Sequence, residues 1–345
     1  VAGLALSEYR CTFCGMQQLV TAPEDLIEAG FILSGASAGT RLAPGAAPEV
    51  LRSETLGWVH LRAAHPDAPG WIVDNLSYLD PTIIDALVAE ETRPRITRIG
   101  DGLIVILRGI NTMDGADPED MVSIRLWIDQ KRIVSLSRRK VRAVADIARA
   151  LELGNGPEDC AAFLAMLVER LTFRIEAFWS GIEDEADQLE EDVLEEGHDA
   201  LRQQLVELRR RAIILRRYLL PQRDALRMLQ GGHPDWLEQD DLRQLEEELD
   251  ALERVVEDAD AMRERMALVR DELAGQLSDR LNRNMYMLSV LSALFLPLGF
   301  LTGLFGINVA GMPGASEPVA FWLFCGGLLV VVGLQLMILR RLRWI

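Results

Sequence analysis

Residues 285–305 read MYMLSVLSALFLPLGFLTGLF and residues 319–339 read VAFWLFCGGLLVVVGLQLMIL. No Asp, Glu, Lys or Arg occurs in 284–316 or in 318–339. A bilayer-spanning helix needs about 20 mostly apolar residues, and each stretch supplies them. Between the two lies Asn308-Val-Ala-Gly-Met-Pro-Gly-Ala-Ser-Glu317-Pro318, a short loop punctuated by glycine and proline. Two spans joined by a tight loop predict a transmembrane hairpin.

Its orientation follows from the basic residues. Arg280 and Arg283 precede the first span, Arg340, Arg341 and Arg343 follow the second, and the loop carries only Glu317. The positive-inside rule then puts both ends of the hairpin in the cytosol and the loop outside. Trp322 and Trp344 flank the second span, where amphipathic rings favour the membrane interface.

Upstream, the chain between Asp235 and Leu296 has no proline. Leu242, Leu245, Leu249, Leu252, Val256, Ala259, Met266 and Leu273 recur there at three and four residues, a heptad-like seam. A helix running from Trp236 through the first span would be about 100 Å long at 1.5 Å per residue. Such a helix needs partners, either the preceding helices or copies of itself. Two further helices are predicted over 159–196 and 200–229, broken at Gly197-His198 and at Gly231-Gly232-His233-Pro234. Their charges are segregated: Glu183 to Glu196 holds nine acids and no base, and Arg202 to Arg223 holds seven arginines with Glu207 the only acid. Folded antiparallel, the two would juxtapose opposite signs and set a register. The acidic run reads as a cation-attracting surface or, more plainly, as a solvated helix face.

The first 150 residues are mixed. Strands are predicted at 31–34, 58–61, 96–99, 103–107, 122–128 and 133–136, with helices at 67–76, 81–89 and 141–153. Gly100-Asp101-Gly102 reads as a hairpin turn. The fold class is thus an α+β cytosolic domain followed by long stalk helices and two C-terminal transmembrane helices. Residues 1–30 form a leader, 31–153 the α/β domain, 154–234 a helical hairpin and 235–283 the stalk. Residues 284–308 are the first span, 309–318 the external (periplasmic) loop and 319–345 the second span with a basic tail. The net charge of −17 across 345 residues argues against nucleic acid as a partner. Cys11, Cys14, Cys160 and Cys325 are too scattered for a disulfide framework. Residues 1–20 lack the basic start and long apolar run of a signal peptide.

Two apolar helices cannot enclose an aqueous path, so an ion would need several copies around an axis. The first span is the candidate lining helix, because the long stalk leads directly into it. One of its stripes reads Asn282, Met285, Leu288 or Ser289, Ser292, Leu296, Gly299 and Gly303, mildly polar and uncharged. Rings of Met and Leu would constrict a pore and gate it by dewetting. Ordinary helix packing is the competing reading, since Gly299-x-x-x-Gly303 is also a contact motif. Pro297 lacks the donor for the carbonyl of Ala293, which predicts a hinge.

The span ends in Phe305-Gly306-Ile307-Asn308, followed by Gly311-Met-Pro313-Gly314. Here the sequence resembles the CorA-type metal-ion transporter family, in its ZntB branch. Glu91-Thr-Arg93-Pro94-Arg95, Arg138-Arg-Lys140-Val and Arg217-Tyr218-Leu-Leu-Pro221-Gln222-Arg223-Asp224 extend the likeness upstream. The resemblance implies a homopentameric funnel in the bacterial inner membrane that moves divalent cations, most often Zn²⁺, without a cofactor. Asn308 would form the selecting ring of neutral oxygens, and Gly306 would let the backbone turn closely enough to build it. Ile307 completes the tripeptide, and Glu317 would concentrate cations at the mouth. Proton-coupled uptake is compatible with the resemblance. A Mg²⁺ or Co²⁺ channel is the rival within the family, and a non-conducting coiled-coil scaffold or a metal sensor the rival outside it. No catalytic or nucleotide-binding motif occurs, so an enzyme is not expected and ion gradients or membrane potential would drive transport. Cys11-x-x-Cys14 is a weak zinc candidate that His60 or His65 would have to complete. His198 and His233 sit at helix breaks, where turn roles are the plainer reading.

Overall fold

The computed structural model describes residues 25–89, 92–113, 115–195, 199–306 and 317–342. They divide into two compact units. The first comprises residues up to Glu191 together with Ala200–Ala267, and the second comprises Asp192–Asp199 with Leu268 onward.

In the first unit, six strands form one sheet: β1 (Ile27–Ile32), β2 (Gly57–Arg62), β3 (Arg95–Ile99), β4 (Gly102–Gly109), β5 (Val122–Ile128) and β6 (Arg132–Ser137). Their order is β1-β2-β6-β5-β4-β3. Only β2 and β6 pair in parallel, and the other neighbours are antiparallel. Helix α1 (Ala47–Arg52) joins β1 to β2, and the crossover from β2 to its parallel neighbour β6 runs through α2 (Ala68–Asn75), α3 (Pro81–Val88) and the β3–β5 meander. Gly100 takes φ +59° in the β3–β4 hairpin, a conformation that glycine adopts without strain. Strand β1 begins at Ile27, four residues before the apolar run starts, so residues 27–30 belong to the sheet and not to a leader. A bulge between Ile27 and Ala29 breaks the alternation there, which is why the pattern misses it.

Alternation along the strands sorts the core. Val59, Leu61, Ile104, Ile106, Trp127, Val134 and Leu136 pack with Trp71, Ile72, Ile83 and Leu87 of the short helices. The opposite face carries Trp58, which stacks on Phe31 and meets Phe163 at a ring-centroid distance of 5.0 Å. Phe163 belongs to α5 (Cys160–Glu195), so the long helices cover this face.

His60 lies beside Trp58 and is buried. Trp58 Nε1–H donates to Ser135 Oγ at 2.9 Å, and the Ser135 hydroxyl is then free to donate to His60 Nδ1 at 2.8 Å. Nε2–H is left to donate to Ser137 Oγ at 3.0 Å. Burial pushes the imidazole pKa down to about 3, so the ring is neutral in the fold. The unfolded chain takes up a proton near pH 6.5, which the folded chain resists until about pH 3. His60 therefore supports stability fully above pH 6.5, and that support falls away as the pH drops toward 3. The thermal midpoint of the purified chain should drop more between pH 7 and pH 5 than that of His60→Gln. Equal pH dependence would remove this assignment.

Helix α4 (Arg142–Glu152) and the long helices α5, α6 (Asp199–Gly231) and α7 (Gln239–Gly306) complete the chain's path toward α8 (Val319–Arg341). Arg254 pairs with Glu176 and Arg265 with Asp187, both 78 residues apart, so α5 and α7 run parallel in one register. Arg227 pairs with Glu253 and Arg216 with Asp260, which makes α6 antiparallel to α7. The acidic run of α5 thus meets Arg265 of α7 as well as Arg211 of α6. These pairs are largely solvent-exposed and individually weak, so their value lies in the register.

The seam on α7 is divided. Leu245, Leu249, Leu252, Val256, Ala259 and Met266 are buried within their own chain. Leu242 and Leu273 are half-exposed, and Leu277 and Leu281 are exposed. Within the first unit, the preceding helices are therefore the partners of α7 as far as Met266.

Two residues of the Arg217–Asp224 stretch dock α6 on the sheet. Gln222 Oε1 accepts from the Arg108 backbone N–H at 2.7 Å, beyond Ile106 where β3 stops pairing with β4. The Arg108 guanidinium lies 4.6 Å from the Tyr218 ring centroid. A glutamine followed by no local partner gave no sign of this role in the sequence.

Candidate functional site

In the second unit, α7 continues to Gly306 and its helical assignment is unbroken across Pro297. Both α7 and α8 contain a segment long and apolar enough to cross a membrane. The apolar part of α7 has no buried residue, with Met285 at 67% and Leu296 at 73% exposure. An apolar surface of this extent needs lipid or other helices against it.

The half-exposed residues of this part of α7 are Val290, Leu294, Pro297, Leu298 and Leu301. They recur at helical spacing and mark the face that α8 covers. On α8 the matching row is Phe324, Cys325, Leu328, Val331, Val332, Gln335 and the buried Leu339. Two direct contacts join the two helices: Phe305 meets Phe324 at a centroid distance of 5.0 Å, and Gln335 Nε2 donates to the Ala293 carbonyl at 3.4 Å. Cys325 sits in this row as a small packing residue.

The sequence-selected stripe lies elsewhere. At about 100° per residue, the row Asn282, Met285, Leu288 or Ser289, Ser292, Leu296, Gly299 and Gly303 falls on the side of α7 opposite the α8-covered row. These residues are all exposed. Ser289 Oγ donates to the Met285 carbonyl at 2.8 Å, which occupies its hydrogen and leaves an uncharged oxygen on the open side. Gly299 and Gly303 would each admit a Cβ without meeting another atom of the described residues, so none of these fills the space they leave.

Gly306 is the last described residue of α7, and Ile307 and Asn308 lie outside the described residues, as do Arg343 and Trp344. Glu317 is exposed immediately before α8, and its carbonyl accepts from Ala320 N at 3.1 Å. Cys11 and Cys14 also lie outside the described residues, as does His198. His60 cannot complete a thiolate site, because both of its ring nitrogens are taken by Ser135 and Ser137 in the core. His233 has Nδ1 at 3.2 Å from the Pro234 carbonyl, and its own carbonyl accepts from Arg98. Among the described residues, no group of three or more His, Cys, Asp and Glu is placed to hold a metal ion.

The model of the CorA-like Mg²⁺ transporter protein family matches residues 53–341. The chain belongs to this family. It is 38% identical over 334 residues to the divalent cation transporter CmaX of Pseudomonas aeruginosa, covering 96% of this chain and 100% of that one. It is 37% identical over 297 residues to the zinc transport protein ZntB of Pectobacterium carotovorum, covering 86% and 90% respectively. Among solved structures, full-length CmaX superposes with a TM-score of 0.79 at 37% identity, over 94% of this chain and 100% of that one. The CorA magnesium transporter of Methanocaldococcus jannaschii does so with a TM-score of 0.77 at 16% identity, over 92% and 99%, a likeness of fold alone. The α/β domain, the long helices and the apolar C-terminal pair are thus the architecture of the CorA family.

The sequence did not single out Gln335. Its one signal is a polar side chain inside an otherwise apolar span, where polar groups are costly and tend to be functional.

Proposed function

We propose that the chain is one subunit of a membrane transporter for divalent cations, with Zn²⁺ as cargo and a central pore between identical copies. The observation that carries this reading is the division of the α7 span into two opposed rows. One row is covered by α8, while the other is uncharged, mildly polar and uncovered. Copies around an axis, five in the reading taken here, would turn that open row inward. Met285, Leu288 and Leu296 would then form apolar constrictions that wet and dewet. Ser289 and Ser292 would supply neutral oxygens between them, and Gly299 and Gly303 would leave the bore wide enough for an ion that retains its water.

Asn308, which follows the end of this span in the sequence, is the proposed selecting collar, with Gly306 and Ile307 shaping its backbone. Neutral amide oxygens suit a metal that keeps water ligands, where carboxylates would bind it too tightly to release. Glu317 sits in the external loop and raises the local cation concentration at the mouth. Arg280, Arg283, Arg340 and Arg341 keep both ends of the hairpin cytosolic.

Zinc is favoured by the ZntB relatives and by the Gly306-Ile307-Asn308 and Gly311-Met312-Pro313-Gly314 context. Magnesium is the second reading, favoured by the description of the matching family. Purified protein in liposomes, loaded with zinc- and pH-sensitive dyes and given metal, proton or voltage gradients, decides between them. The expected result is zinc entry that is saturable and absent from empty liposomes. Entry of magnesium without zinc would replace the substrate, and entry of neither would leave a scaffold or sensor. Zinc entry indifferent to the pH gradient would remove coupling to protons.

A further inference from the structure

We propose that Gln335 is a positioning residue that closes the break Pro297 makes in the backbone of α7. In a helix the carbonyl of Ala293 accepts from the N–H of residue 297, and proline has none. The side-chain amide of Gln335, on the facing row of α8, reaches that same carbonyl at 3.4 Å. A carbonyl can only accept, so the nitrogen of the amide must be the atom that faces it. In a bilayer no water stands ready to satisfy a freed backbone group, which makes a donor from a neighbouring helix the natural substitute.

Two further observations fit this role. Gln335 Oε1 is buried without a hydrogen-bond partner, so the donation to Ala293 is the polar bond the structure gives this side chain. Apart from Gln335, the row of α8 that faces α7 is Phe324, Cys325, Leu328, Val331, Val332 and Leu339, which needs no amide for packing. The amide thus stands in for the missing N–H at the one turn where α7 lacks it. Ala293 is also the sequence neighbour of Ser292 on the open row. A tie at this point fixes the angle at which the segment from Leu296 to Gly306 leaves the segment before it. Gln335 lies on the α8 row that faces α7 and acts through the geometry of that helix.

This inference rests on the proposed transport function only for its flux readout. The test is a double-mutant cycle of Gln335→Met, which keeps length and bulk but removes the donor, with Pro297→Ala, which restores the backbone N–H. Zinc flux into liposomes and the thermal midpoint of the detergent-purified protein are measured on all four chains, after size-exclusion chromatography confirms the native assembly. With Pro297 present, Gln335→Met should slow flux about fivefold and lower the thermal midpoint. In the Pro297→Ala chain the same change should alter flux by less than about twofold and leave the midpoint almost unmoved, because residues sharing one hydrogen-bonding site couple strongly. Rescue of this kind is not expected of a residue that only packs. Equal effects of Gln335→Met in both backgrounds would overturn the assignment. If the unsubstituted protein moves no metal, the transport function falls, and the cycle in thermal midpoint still decides the role of Gln335.

Discussion

Zinc flux should be lost when Asn308 is replaced by leucine, while the assembly stays intact by size and by thermal midpoint. The expectation follows from what the collar must do just after an uncharged span. A hydrated cation entering there exchanges bulk water for neutral oxygens that accept from its water ligands. Each such hydrogen bond contributes about 1 kcal/mol net. Losing two per ion costs about 2 kcal/mol, or roughly thirtyfold in rate at about 1.4 kcal/mol per tenfold. A ring of leucines adds a dewetting barrier to that loss. Asn308→Asp separates polarity from charge: it keeps the oxygens and adds a negative ring, so ions should bind longer and pass more slowly. The measurement is the initial rate of zinc entry under a fixed gradient. Undiminished flux through Asn308→Leu would mean that the metal does not pass this residue, and the pore would have to lie elsewhere.

The second large effect concerns folding. Trp58→Ala is expected to destabilise the first unit by about 3–5 kcal/mol, the range for deleting a large buried aromatic. Trp58 is fully buried between Phe31 of β1 and Phe163 of α5. It joins the sheet to the long helices, so its removal leaves a cavity at the seam between two layers. The indole N–H also donates to Ser135, whose hydroxyl in turn supports His60. Alanine would therefore leave the buried Ser135 oxygen without its donor, a penalty added to the cavity. Domains have a total stability of about 5–15 kcal/mol, so most of the margin would be gone. Urea titration of the detergent-purified chain, followed by far-ultraviolet circular dichroism, measures the change. Trp58→Phe, which keeps the ring and loses the N–H, should cost clearly less. A loss below about 1 kcal/mol for alanine would show that the seam does not depend on this side chain.

Much of the architecture was legible because it is written in local patterns. The strand at Val122–Ile128 has the boundaries its apolar run predicts, and the other five strands lie within a few residues of theirs. The Gly100–Gly102 hairpin followed from two glycines between strands. The long helix followed from a stretch without proline. Strand β1 escaped at its start because the bulge at Ile27–Ala29 destroys the two-residue period on which a strand is recognised. His60 offered a metal-ligating side chain in the sequence, and Ser135 and Ser137 claim it in the structure from about 75 residues away. No local pattern could have shown that.

The candidate site divides in the same way. The charge-free span, its stripe of Asn, Met, Ser and Gly, and the Gly306-Ile307-Asn308 end were all present as residue types at helical spacing. Which side of that helix stays open was not, because a helix carries its period all the way round and only a neighbour distinguishes its faces. The placement of α8 made that distinction, and it turned an unremarked glutamine into the partner of a proline-freed carbonyl.

By itself, the sequence determined the two spans, the mixed domain before them and the helical path between, since hydropathy, breakers and period act over a few turns of chain. The tertiary structure alone decided the strand order, the partners of each half of α7, the fate of His60 and the meeting of Gln335 with Ala293. Those depend on contacts between residues far apart in sequence, whose energies exist only once the chain has brought them together.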